Sequence, residues 1–169
     1  TGAWVKLTAP SLEECAEISD RFHMDIADVR AALDDEESSR INLEDEYTLI
    51  LVDIPSAEMR NNRHSYTTIP LGILIAEDVV ITVCAEETAV LRSFVEQRVR
   101  DFSTKKQMRF TYQILYNACM VYQSLLRSID RKRTEIEERI DQNTEDVDLI
   151  DLHELESNLV YFATSLRAN

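Results

Sequence analysis

One stretch, from about Thr104 to Gln142, reads as a single uninterrupted helix, and a domain of this size cannot wrap around it. At about 1.5 Å per residue it would span roughly 60 Å, well beyond the diameter of a compact domain, so part of it has to protrude. Its apolar positions explain how it can. Leu115, Tyr122, Ile129 and Ile136 fall seven apart, and Cys119, Leu126, Arg133 and Ile140 repeat the row four residues on. That is a heptad seam with one charged break. The final segment has the same habit, with Leu152, Leu155, Leu159, Phe162 and Leu166 spaced three and four. Asn143-Thr144-Glu145-Asp146 is the turn between them, so the two helices are predicted to pack as an antiparallel hairpin.

Upstream the pattern is mixed. Ala3 to Leu7 alternates like a short strand, and Ser11 with Glu14 forms a capping box that opens a helix whose inward face is Leu12, Cys15, Ala16 and Ile18. A second short helix starts at Asp25, turns Ile26, Val29, Ala32 and Leu33 inward, and ends in the acidic run Asp34-Asp35-Glu36-Glu37. Strands follow at Tyr47–Ile54, stopping at Pro55, then at Ser65–Ala76 and Val79–Cys84; the last two form an antiparallel hairpin across Glu77-Asp78. Arg40–Leu43 adds a short edge, and Ser56–Arg63 reads as a polar, disordered loop. A helix is expected over Ala89–Asp101, with Val90, Leu91, Phe94, Val95 and Val99 apolar. The fold class is therefore α/β, or α+β-like: a mixed, largely antiparallel sheet flanked by helices, carrying a long antiparallel helical hairpin. Residues 1–102 are expected to form the α/β layer and 103–169 the hairpin.

Several function classes are disfavoured. The 169 residues hold only 2 Gly, which argues against phosphate-cradling loops. Cys15, Cys84 and Cys119 are an odd set with no CxxC pair, each among apolar neighbours, and read as reduced core cysteines. No run reaches the roughly 18 apolar residues that span a bilayer, and no signal peptide is evident, so the chain as given reads as soluble. Catalysis by a nucleophile needs a base beside it, usually His. His23 and His153 fall in helical context and His64 in the polar loop, with no GxSxG or HExxH, so no enzyme is expected. A formal net charge of -14 repels nucleic acid and anionic lipid alike and suits cations.

Carboxylates are the one abundant functional type. Asp34 to Glu46 holds seven acids against one Arg, and Glu135 to Glu156 ten against one. Mg²⁺ takes oxygen ligands and usually keeps several waters, so one or two carboxylates suffice, although EF-hand spacing is missing. Taken singly, each of these acids reads first as part of a solvated face.

The sequence resembles the N-terminal cytoplasmic domain of the CorA family of divalent-cation channels. The resemblance rests on Thr68-Ile69-Pro70-Leu71-Gly72 running into Ile73-Leu74-Ile75, on the strand Val80-Ile81-Thr82-Val83, on Arg109-Phe110 opening the long helix, and on Asn158-Leu159-Val160-Tyr161-Phe162. Arg40-Ile41 through Tyr47 matches the family's charged-hydrophobic lead into a strand. The family's Gly-Met-Asn motif is absent, and the resemblance implies that it and the transmembrane helices lie beyond residue 169, after a stalk helix beginning near Ser165–Asn169.

What the resemblance implies is a funnel-shaped homopentamer on the cytoplasmic face of the cell membrane, anchored by those helices and closed by Mg²⁺ bound between neighbouring domains. The isolated domain is then expected to be monomeric or weakly associated. The family's acidic pair on the short helix falls here at Arg30 and Ala31, neither able to bind Mg²⁺, and a second acidic site falls near Met120 and Val121. Asp28, Asp34 and Asp35 are the expected substitutes. The implied function is gating of Mg²⁺ (or Co²⁺, Ni²⁺, Zn²⁺) transport with no required cofactor. The alternative is a soluble scaffold that pairs through its helical hairpin, with an unrecognised hydrolase third.

Overall fold

The computed structural model describes residues 2–60, 63–142 and 146–169, and side chains within these outside 58–64 and 141–147. The elements are β1 (Ala3–Thr8), α1 (Leu12–Phe22), α2 (Ile26–Arg30) running into a 3₁₀ turn (Ala31–Leu33), β2 (Arg40–Leu43), β3 (Tyr47–Arg60), β4 (Arg63–Ala76), β5 (Val79–Cys84), α3 (Ala89–Val95), α4 (Gln107–Gln142) and α5 (Asp146–Ala168). The sheet order is β1-β5-β4-β3-β2. The chain lays β1 at one edge, crosses over through α1 and α2 to the opposite edge, and meanders back antiparallel until β5 meets β1 in parallel. The expected mixed, largely antiparallel sheet with flanking helices is what forms.

Alternation along the strands sorts the side chains onto two faces. Leu49, Leu51, Leu74, Ile81 and Val83 pack with Cys15, Met24, Val29 and Ala32 of the α1–α2 layer. Gly72 allows this closeness, since a Cβ there would sit 3.2 Å from the Ala32 Cβ. On the opposite face Ile54, Leu71, Ile73 and Val80 pack with Leu91, Phe94, Phe110 and Ile114 of α3 and α4. Trp4, Phe94, Phe102 and Phe110 lock that layer, mostly edge-to-face, with ring centroids 4.9 to 6.2 Å apart. The Trp4 Nε1–H donates to the buried Thr82 hydroxyl at 2.9 Å, so neither polar atom is stranded.

Two expectations fail along the strands. β3 does not stop at Pro55, and of the expected polar loop Ser56–Arg63 the residues Ser56–Arg60 and Arg63 are strand, while 61 and 62 lie outside the described residues: β3 runs to Arg60 and β4 starts at Arg63, with Ser56 paired to Thr67 and Met59 to His64. Pro55 is tolerated because of where its missing donor would point. The Asp53 N–H, two residues earlier on the same edge, faces away from β4 and is taken by Asn169. β2 reaches only as far as Leu51, so Pro55 removes no ladder bond on that side.

Helix limits differ as well. α3 ends at Val95, not Asp101, because Gln97 adopts a left-handed conformation (φ 55°). The Gln97 N–H donates to the Phe94 carbonyl and the Arg98 N–H to the Ser93 carbonyl, a Schellman closure without glycine. In the short helices Leu12 and Ile26 are exposed, leaving Cys15, Ile18 and Val29 as the inward set.

The long helix and its partner pack as the seam requires. Tyr122, Ile129 and Ile136 are buried against Leu155 and Phe162. Arg133, the charged break, keeps its guanidinium in water, bonded to Asp130 and Glu137. On α5 the inward positions differ from the leucine row: Leu159 and Leu166 are exposed while Asn158 and Ser165 are buried. α5 also packs on β4, where Ser165 and Thr68 share a hydrogen bond at 2.7 Å. The expected turn at 143–146 lies outside the described residues apart from Asp146, where α5 begins.

Replacing Ile129, 1% exposed, with Asp places an unpaired carboxylate in this seam. The cost is several kcal/mol. Hydrogen-exchange protection should fall across α4 beyond Tyr122 and across α5 while β4 and β5 keep theirs; unchanged protection on both helices refutes the packing.

Candidate functional site

The corner formed by α2 and the 3₁₀ turn carries Asp28, Asp34 and Asp35. α2 begins because the Asp25 side chain accepts the Ala27 N–H at 2.8 Å. It tightens into 3₁₀ geometry at Ala31, which with Ala32 is buried against the sheet. Arg30 points outward and Ala31 inward, so neither residue type nor burial offers an anionic ligand there.

The three aspartates serve different local ends. Asp28 Oδ2 accepts from the Tyr47 hydroxyl at 2.7 Å, and that same hydroxyl oxygen accepts the Asp25 N–H at 3.1 Å. Burial, reinforced by the Asp28 carboxylate, pushes the Tyr47 phenol up to about 12. Asp34 closes the 3₁₀ turn, and its Oδ1 accepts the Glu36 N–H at 3.0 Å. Asp35 lies beside it on the exposed turn. Among the described residues no three His, Cys, Asp or Glu side chains stand together as a metal site.

Other sequence candidates are dispersed. His23 caps the C-terminus of α1 in a left-handed conformation, and His153 is exposed on α5, 3.7 Å from Glu156. His64 lies on β4, not in a loop, with its side chain outside the described set. Cys15 and Cys84 are buried as expected, whereas Cys119 is exposed. It sits on the α4 seam where α5 runs out and nothing described covers it. Sequence reasoning missed a wide acidic depression beside β1, where Glu17, Asp45, Glu46, Glu77 and Asp78 gather with Arg21. Three separate segments supply these acids, so no spacing announces them.

Tyr47→Phe removes the group that joins α2 to β3 and leaves the Asp25 N–H and Asp28 short of a partner. Stability should fall by about 1–3 kcal/mol in denaturant titration, and an unchanged midpoint refutes the role.

Comparison with known proteins supplies the rest. The profile of the family described as CorA-like Mg²⁺ transporter protein matches residues 1–169. The cobalt/magnesium transport protein CorA of Methanocaldococcus jannaschii is 23% identical over 170 residues, covering 98% of this chain and 52% of that protein. The chain thus spans about half the length of this relative. The fold is that of the soluble domain of CorA from the same organism, with TM-score 0.85 at 23% identity over 98% of this chain and 66% of that one. The ZntB cytoplasmic domain from Vibrio parahaemolyticus gives 0.70 at 13% identity, over 99% and 67%. No helix among the described residues is long and apolar enough to cross a membrane. The family is one of ion transporters and not of enzymes. On the match along its whole length, this chain belongs to the CorA-like Mg²⁺ transporter protein family.

Proposed function

We propose that this chain is the cytoplasmic, gate-controlling domain of a longer protein that carries Mg²⁺ or Co²⁺ across a membrane. The observation that carries the reading is the family match over residues 1–169, supported by the likeness to a domain of a cobalt/magnesium transport protein. In this reading residues 1–102 are the sheet layer, residues 103–169 the helical arm, and further sequence supplies the membrane helices and assembly into a homopentamer. The acidic surface suits the role: a net charge of -14 raises the local concentration of divalent cations. The test is uptake by the full-length protein in liposomes loaded with a Mg²⁺-sensitive dye. Uptake of Mg²⁺ or Co²⁺ above protein-free liposomes is expected; correctly inserted protein that leaves both ions outside overturns it.

Regulation at the α2 corner falls to Asp28, Asp34 and Asp35 in this proposal. With Asp28 engaged by Tyr47 and Asp34 by a backbone N–H, they offer weak, water-mediated contacts and no cage. A millimolar dissociation constant at a few millimolar Mg²⁺ stabilises by about 1 kcal/mol. Thermal unfolding of the isolated domain should therefore shift little more in Mg²⁺ than in NaCl of matched ionic strength. A large Mg²⁺-specific shift abolished by Asp34→Asn with Asp35→Asn would reveal a tight site instead.

A further inference from the structure

Two rows of residues on α5 compete for the same place. Leu155 and Phe162, seven apart, are buried in the cluster that Tyr122 and Ile129 of α4 form. On one flank of them run Asn158 and Ser165, also seven apart, and on the other run Leu152, Leu159 and Leu166. Adjacent helical residues are turned by roughly 100°, so Leu155 and Phe162 lie between the two rows. The polar row is the one turned in. Asn158 is 3% exposed and Ser165 6%, whereas Leu159 keeps 38% of its surface in water and Leu166 44%.

This orientation runs against the preference of the helix itself. Two leucines stay partly in water, and the Asn158 Nδ2 is buried with no hydrogen-bond partner among the described residues. A buried donor left unmade forfeits its hydration and gains nothing in return. Leucines spaced three and four with Leu155 and Phe162 are what a helical seam ordinarily uses. The bonds that hold the polar row inward sit toward the ends of α5. Near one end Arg139 of α4 donates to Asp148 at 2.9 Å. Near the other, Ser165 shares a hydrogen bond with Thr68 of β4 at 2.7 Å, and the Asn169 side chain bonds both the N–H and the carbonyl of Asp53 at 2.8 Å. The mismatch lies between them, at Asn158.

We propose that α5 has a second seat, reached by rolling about its own axis through roughly 50°, half the angle between the rows. In that seat Leu155 and Phe162 face β4, the leucine row faces α4, and Asn158 and Ser165 turn out to water. The Ser165–Thr68 bond is the latch on the seat seen here. Opening it gives up that bond, frees the Asn158 amide to meet water and buries Leu159 and Leu166. Two packings that share their central residues and trade opposing terms of this kind make a two-state element. The roll changes what the arm presents, a leucine row in one seat and a polar row in the other. It involves only α5 and the elements it packs on, so it stands whether or not the longer protein moves ions.

Methyl relaxation dispersion by NMR on the 169-residue chain tests the roll. Motions of packed helices fall in the microsecond-to-millisecond range, where a minor state of roughly 0.1–10% is detectable. Exchange is expected at the Leu152, Leu159 and Leu166 methyls and not at Leu74 or Ile81 in the sheet core. Thr68→Val removes the latch without touching α5 and should raise the rolled population at least about threefold. Asn158→Leu, which relieves the mismatch in the present seat, should lower it, and so should Leu159→Asn, which spoils the second seat. The Thr68 and Ser165 hydroxyls are 2.7 Å apart, so Thr68→Cys with Ser165→Cys, in a Cys119→Ser background, can lock the present seat with a disulfide. Closing that bridge should abolish the exchange and reduction should restore it. Flat dispersion in Thr68→Val overturns the proposal. So does exchange that Leu159→Asn leaves unchanged, which is fraying of the last turns, or exchange that persists in the bridged form.

Discussion

Strand pairing between β3 and β4 extends over fourteen residues on each strand, from Tyr47 opposite Ala76 to Arg60 opposite Arg63, and both layers of the molecule hang on it. Its first half is the centre of the sheet, sandwiched between the α1–α2 layer and the aromatic layer of α3 and α4. Its second half passes under the helical arm, where Tyr66 joins the Tyr122–Ile129–Phe162 cluster. A shift of one residue in this register would turn every one of those side chains to the wrong face. The arm therefore inherits its placement from the same ladder that organises the core.

The contacts between arm and ladder differ in kind from those within the core. Tyr122 and Asn169 both bond the Asp53 carbonyl, and Ser165 bonds Thr68. Hydrogen bonds of this sort contribute modestly to stability but fix geometry closely. The arm is thus positioned by directional bonds and held by an apolar seam.

What could be read from the sequence was whatever is written locally. The Ser11–Glu14 capping box started α1 where expected, and the heptad row of Tyr122, Ile129 and Ile136 is the buried seam. Features that depend on distant partners were not legible. Pro55 reads as a strand stop, and only the free outer edge of β3 shows why it is not one. Asn158 and Ser165 turn inward past neighbouring leucines because α5 also faces β4, and no period in α5 encodes that second neighbour. At the candidate corner the acids were visible, but the engagement of Asp28 by a tyrosine 19 residues away was not.

The parallel pairing of β1 with β5 has a consequence for the order of assembly. Ala3 to Thr8 are made well before their partners, Val79 to Cys84. Trp4 needs Phe110 as well, further along still. The opening strand must therefore wait, unpaired and apolar, while the meander forms behind it. Contacts so far apart in sequence are slow to close, because the intervening chain must first lose its freedom. The described sheet is completed by the strand that precedes its other four in the chain, and during that interval the outer edge of β5 is exposed to any strand that reaches it sooner.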